Sequence, residues 1–177
     1  MEDLRQRRTK KHLMNALVEL MEERPFAELS VVDICERAMV HRTTFYAHFT
    51  DKEDLLRYVI AELWRAFSAG EPAGEPAPER RYFLTTFQNA LQFIRAHKKL
   101  YLSGLAGGGP ALRMLEDFVA EELLSRMEAP DEAAAHFYVG GILSLIRWWL
   151  ERDAPLEDGD LLRKLEEMLP PGPVERR

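Results

Sequence analysis

The chain has 177 residues, 46% of them hydrophobic and 31% charged, with a formal net charge of −6. That balance excludes a disordered or fibrous chain, and ten Gly and ten Pro without a repeating period exclude collagen. The longest apolar stretch, 137–146, falls short of the roughly 20 residues of a membrane helix, the first residues hold no apolar signal core, and Cys35 is the single cysteine, so the expectation is a cytoplasmic protein with no internal disulfide.

The charge is unevenly spread. Residues 1–12 carry Arg5, Arg7, Arg8, Lys10 and Lys11 against Glu2 and Asp3, whereas residues 53–177 account for the whole net −6. A basic arm before an acidic body suits a phosphate-facing head, and equally a solvated chain end. Leu13, Leu17, Leu20 and Met21 then form an apolar stripe of helical period, which stops at Arg24-Pro25 because the residue before proline disfavours the α region. Ser30 with Asp33 three residues on predicts a capping box opening a short helix over 31–38. Met39-Val40-His41 interrupts, and a second short helix is expected over 42–49. Thr50-Asp51-Lys52-Glu53 predicts a second capping box, opening a longer helix with Leu55, Leu56, Val59, Ile60, Leu63, Trp64 and Phe67. Residues 70–78, with five Gly or Pro in nine, read as a linker or long loop. Phe83, Phe87, Leu91 and Ile94 mark the next helix, and 107–110 break the chain. Leu112, Leu115, Phe118, Val119, Leu123 and Met127 mark another helix, Asp131 to Glu151 a long apolar one, and Leu161, Leu162, Leu165 and Met168 a last amphipathic one. The end, 170–177, reads as frayed. The fold class expected is all-α, without strands or repeats.

Two short helices with a three-residue break, followed by a capped third, form a helix-turn-helix pattern. In such a unit the second helix enters the major groove and presents its N-terminal residues to the base edges. Arg42 can fork onto guanine, Thr43 and Thr44 can reach phosphates or a thymine methyl, and Tyr46 and His48 can donate to phosphate oxygens. Lys52 stands at the start of the next helix, whose dipole also favours an anion. Ala38 and Phe45 are placed to pack the two short helices together.

The run from Leu29 to Leu56, with Tyr46, Phe49, Lys52 and Leu55 at set intervals, resembles the N-terminal signature of the TetR/AcrR family of transcriptional regulators. The likeness is sharp over roughly residues 8–60; beyond them it rests on length, helical pattern and two final apolar helices. It implies a three-helix DNA-binding domain over 6–66 and a helical domain over 79–169 that dimerises and often holds an effector. It also implies DNA contacts at Thr43, Thr44, Tyr46 and Lys52. At Arg42 the chain departs from the small residue frequent in the family, which leaves open a guanine reader or an Arg near a phosphate.

The remaining candidates are weaker. Phe83, Phe87, Tyr101, Phe118 and Trp148 are the expected lining of an apolar effector pocket, with plain core as the alternative; the acidic surroundings favour a neutral or cationic small molecule. Phe137, Tyr138 and Trp149 belong to the same aromatic set. Phe137, Gly141, Leu145 and Trp148 fall on one stripe of the long apolar helix, and a second stripe holds Leu143, Ile146 and Leu150. A helix apolar on two faces must bury both, so Phe137, Gly141, Leu145, Trp148, Leu161 and Leu165 are expected at a homodimer interface. His12, His41, His48, His97 and His136 lack metal-ligand spacing, the glycines at 107–109 lack the residues of a phosphate loop, and no catalytic set can be read. Neither metal nor cofactor is expected, and Cys35 reads as a buried thiol. The functional expectation is a DNA-binding repressor that responds to a ligand and reads a pseudo-palindromic operator as a homodimer, without membrane association. The alternatives are a coactivator working through a protein partner without an effector, and a helical carrier or enzyme reusing the fold.

Overall fold

The computed structural model describes residues 4–69, 79–105, 109–125 and 130–168. The expected linker, Gly107, Gly108, Met127 and the tail from 170 lie outside the described residues, as does the far end of the expected second domain. Among the described residues every regular element is helical. In chain order these are α1 (Leu4–Glu23), a 3-10 turn (Phe26–Glu28), α2 (Val31–Ala38), α3 (Arg42–Tyr46) and α4 (Lys52–Ser68), followed by α5 (Glu79–Ala96), a π-helical turn (Leu100–Leu105), α6 (Pro110–Leu124), α7 (Glu132–Glu151) and α8 (Asp158–Met168).

The chain forms two compact units. The first takes the residues up to Glu62 together with His97–Met114; the second takes Leu63–Ala96 and the chain from Leu115. The first unit recruits a later segment because α1 packs along the π-helical turn, and Glu22 Oε1 pairs with His97 Nδ1 at 2.5 Å. The stripe Leu13, Leu17, Leu20 and Met21 faces inward as its period requires and meets a core that includes Phe26, Ile34, Phe45 and Leu55.

Pro110 of the first unit opens α6, a position where its missing N–H costs nothing, and in the second unit Asp131 caps α7 by accepting from the Ala134 N–H at 3.0 Å. The core holds Phe83, Phe87 and Leu91 of α5 with Val139, Ile142, Ile146, Trp149 and Leu150 of α7 and Leu161 and Leu165 of α8. Helices α5 and α8 pack together, and Arg95 joins them through Asp158 at 2.7 Å while lying 5.1 Å from the Trp149 ring centroid. Trp149 is fully buried and donates its indole N–H to the Leu156 carbonyl at 2.8 Å, so its one polar atom is satisfied.

Candidate nucleic-acid interface

The local chemistry of the first unit fixes how α2 and α3 stand. The Ser30 hydroxyl accepts from the Asp33 N–H at 3.2 Å, and the Asp33 carboxylate accepts from the Ser30 N–H at 2.8 Å, which is the reciprocal cap expected from sequence. Asp33 also pairs with Arg24 at 2.8 Å. The Ser30 hydroxyl first, then its backbone N–H, then Arg24 hold the Asp33 carboxyl down at about 2. Helix α2 ends where Met39 takes a left-handed conformation with φ 54°, and the Val40 N–H reaches back to the Cys35 carbonyl at 3.0 Å. The helix of the second half is shorter than expected. Regular α3 stops at Tyr46, and residues 47–48 follow as a turn, with the Phe49 N–H bonded to the Phe45 carbonyl at 2.9 Å.

Phe45 is fully buried and Ala38 nearly so, and α2 packs on α3 as their sizes suggest. Phe45 stacks towards Phe49, with ring centroids 5.9 Å apart, and Phe49 towards Tyr58 of α4 at 5.4 Å. Lys10 of α1 lies over the Tyr58 ring at 5.5 Å, so an aromatic chain braces α3 from behind. With Phe45 turned inward, Arg42, Thr43, Tyr46 and Ala47 are exposed and Thr44 and His48 half-buried.

A shallow groove on this face is lined by Arg5, Gln6 and Thr9 of α1 and by Thr43, Thr44, Ala47 and His48. The structure thus brings Arg5 of the basic arm and the second short helix to one surface. Thr43, Thr44 and His48 meet there, whereas Arg42 and Tyr46 are exposed on α3 outside the lining. Gln6, Thr9 and Ala47 were not singled out by sequence. The spacing of Arg5 and Thr9, one helical turn apart, was the available signal. Arg37 of α2 and Arg24, just past the end of α1, are spent internally. Arg37 pairs with Glu23 at 2.8 Å and Glu19 at 3.4 Å, and Arg24 with Asp33. Cys35 is buried, and burial pushes its thiol up against the opposing charge of Arg42.

Lys52 stands apart from the expected set. Its ammonium donates to the backbone carbonyls of Leu29 at 2.7 Å, Phe26 at 3.1 Å and Ala27 at 3.3 Å, so it is turned into the domain. The cap at this helix start also shifts by one residue from the expected box. Asp51 Oδ1 accepts from the Asp54 N–H at 2.7 Å, while Asp54 Oδ2 accepts from the Thr50 N–H at 3.0 Å. Asp54 takes the place foreseen for Glu53 because α4 begins at Lys52, which moves its third position one residue on.

The expected effector lining does not assemble within one unit. Phe83 and Phe87 are buried in the second unit and Phe118 is half-buried there, Tyr101 is buried in the first, and Trp148 is exposed on the outside of α7. The expected dimer residues divide as well. Phe137 is 75% exposed and Trp148 36%, Gly141 is exposed and Leu145 half-buried. Leu161 and Leu165 are instead consumed by the unit's own core, because the apolar face of α8 packs against α5. Among the described residues no group of His, Cys, Asp and Glu is placed to hold a metal, and no helix is long and apolar enough to cross a membrane.

A capped helix-turn-helix beside a basic residue of α1, in an all-helical chain, has the form of a DNA-binding head. Residues 13–59 match the family model of bacterial regulatory proteins of the TetR family. The match is confined to that N-terminal segment, and the fold as a whole is similar to solved regulators. A TetR transcriptional regulator from Streptococcus agalactiae superposes with a TM-score of 0.65 at 20% identity, covering 93% of this chain and 94% of that one. The dihydroxyacetone kinase operon activator DhaS gives 0.60 at 18% identity, covering 89% and 93%. The fatty acid degradation regulator FadR from Bacillus halodurans gives 0.59 at 17%, covering 89% and 96%. No curated protein sequence matches the chain.

Proposed function

We propose that the protein is a cytoplasmic repressor of TetR type that binds a pseudo-palindromic DNA operator as a homodimer and releases it on binding a small molecule. One observation carries the DNA reading: Arg5, Gln6 and Thr9 share a groove with Thr43, Thr44 and His48. In this reading Arg42 meets a guanine edge at the mouth of α3, Thr43 and Thr44 take phosphate oxygens or a thymine methyl, and Tyr46 and His48 donate to phosphates. The basic arm adds charge along the backbone, and each phosphate neutralised contributes about −0.9 to the slope of log K against log salt.

The test is selection of duplexes from a random pool, followed by titration of the winner and of random DNA across salt. A shared dyad-symmetric sequence and a steep salt slope are expected. Arg42→Ala should cost roughly 1–3 kcal/mol on the selected duplex and little on random DNA. Equal loss on both makes Arg42 a phosphate contact. Absence of any enriched duplex removes the DNA reading itself.

A second reading has its own support. One solved structure of this fold is that of an operon activator, and Trp148, a candidate for the effector pocket, is exposed on α7. An activator working through a protein partner, with no small molecule, fits those facts. A reporter carrying the selected duplex decides between the two: expression falls with the protein present for the repressor and rises for the activator.

A further inference from the structure

Lys52 begins α4, and an ammonium has three protons to donate. The three carbonyls within reach, those of Phe26, Ala27 and Leu29, take all of them, and the ammonium also lies 4.7 Å from the centroid of the Phe26 ring. These acceptors belong to the turn that hands the chain from α1 to α2. Leu29 and Lys52 therefore bracket α2, the Met39 turn, α3 and the turn after it. The bonds join the two ends of the segment that presents the DNA-facing residues.

We propose that Lys52 is a positioning residue, a clip that closes the helix-turn-helix at its base and sets the attitude of α3, rather than the phosphate contact its place in the family motif implies. The inference rests on the DNA-binding reading above. To reach a phosphate the ammonium must abandon at least one carbonyl and leave it without that donor. A planar guanidinium cannot converge on three carbonyls from one nitrogen, so the clip demands lysine in particular, whereas a phosphate contact accepts either cation.

The experiment compares wild type, Lys52→Arg and Lys52→Met on the duplex selected by wild type and on random duplex, across salt, at a temperature where circular dichroism shows each fully folded. For a clip, both variants lose roughly ten-fold on the selected duplex, lose less on random duplex, and keep the wild-type salt slope. A phosphate contact overturns the proposal with a different pattern: Lys52→Arg retains affinity, while Lys52→Met weakens both duplexes equally and lowers the slope by about 0.9. Lower melting temperatures with unchanged specific affinity reduce Lys52 to a stability role and also overturn it. Should neither variant fold, the wild-type protein answers: the nitrogen-15 resonance of the Lys52 ammonium stays put on adding the selected duplex if it is a clip, and shifts if it meets phosphate. Wild type that enriches no duplex defeats the DNA-binding reading; wild type that enriches one while the variants match it defeats only the clip.

Discussion

Two residues in the reading head carry consequences of their own. Met39 holds φ at 54° with its side chain 89% exposed, so it bears left-handed strain without packing in return. Glycine takes that conformation freely, and the relief of about 1–2 kcal/mol exceeds its extra chain entropy of roughly 0.5–1 kcal/mol. Met39→Gly should therefore stabilise the protein by up to about 1 kcal/mol, read as a higher midpoint in urea; a lower midpoint means that Met39 makes a stabilising contact. Asp33 titrates at about 2 instead of 3.8, held first by the Ser30 hydroxyl, next by the Ser30 N–H and then by Arg24. A carboxyl held below its unfolded value stabilises the fold while ionised, so that contribution is complete above the unfolded value and is lost as the pH falls towards 2. Asp33→Asn should be less stable at neutral pH and should lose less than wild type on acidification through that window. Parallel acid profiles for the two proteins would detach Asp33 from the acid response.

At the scale of elements, the sequence was informative where side chains speak to nearby positions. Ser30 and Asp33 announce the start of α2 because a cap is a three-residue arrangement, and Arg24-Pro25 announces the end of α1 because proline acts on its neighbour. Ser30→Ala should cost about 1 kcal/mol by removing the acceptor for the Asp33 N–H, measured by equilibrium unfolding, and Ser30→Gly should be milder by that same measurement. The destination of Lys52 was not legible. Its partners are main-chain carbonyls 23 to 26 positions back, and a carbonyl leaves no signature in residue type. The same limit hid the groove: α3 read as DNA-facing and the basic arm as phosphate-facing or solvated, but only folding places Gln6 and Thr9 beside Thr43. The partner of α8 was not legible for a different reason. Its apolar stripe gives the period of a buried face without saying whose surface covers it, and α5 of the same chain does so. Leu161 is fully buried, so Leu161→Ala should cost roughly 2–5 kcal/mol in unfolding experiments while leaving the mass in solution unchanged.

For the whole molecule the open matter is what covers α7. Its inner face is satisfied: Val139, Ile142, Ile146, Trp149 and Leu150 are buried within the second unit. Its outer face carries Phe137 at 75% exposure, Gly141, and Trp148 at 36%, a row along one side of a 20-residue helix. A Cβ built on Gly140 or Gly141 meets nothing within 4 Å among the described residues, so packing among these does not explain glycine at a cost of about 1 kcal/mol each relative to alanine. Glycine on an apolar helix face suits the approach of another backbone. A second copy of α7 across a two-fold axis would supply one, placing the two Phe137 and Trp148 rows against each other. The expected result is a dimer mass by light scattering at micromolar concentration. Phe137→Glu and Trp148→Glu should each lower that mass towards one chain without the loss of helix signal expected from a core substitution, because both residues are accessible in a single folded chain. The double variant should also lose affinity for a two-fold duplex, since two half-sites no longer bind as one unit. Wild type at the mass of one chain would end the dimer reading, and variants that remain folded dimers would move the interface away from α7.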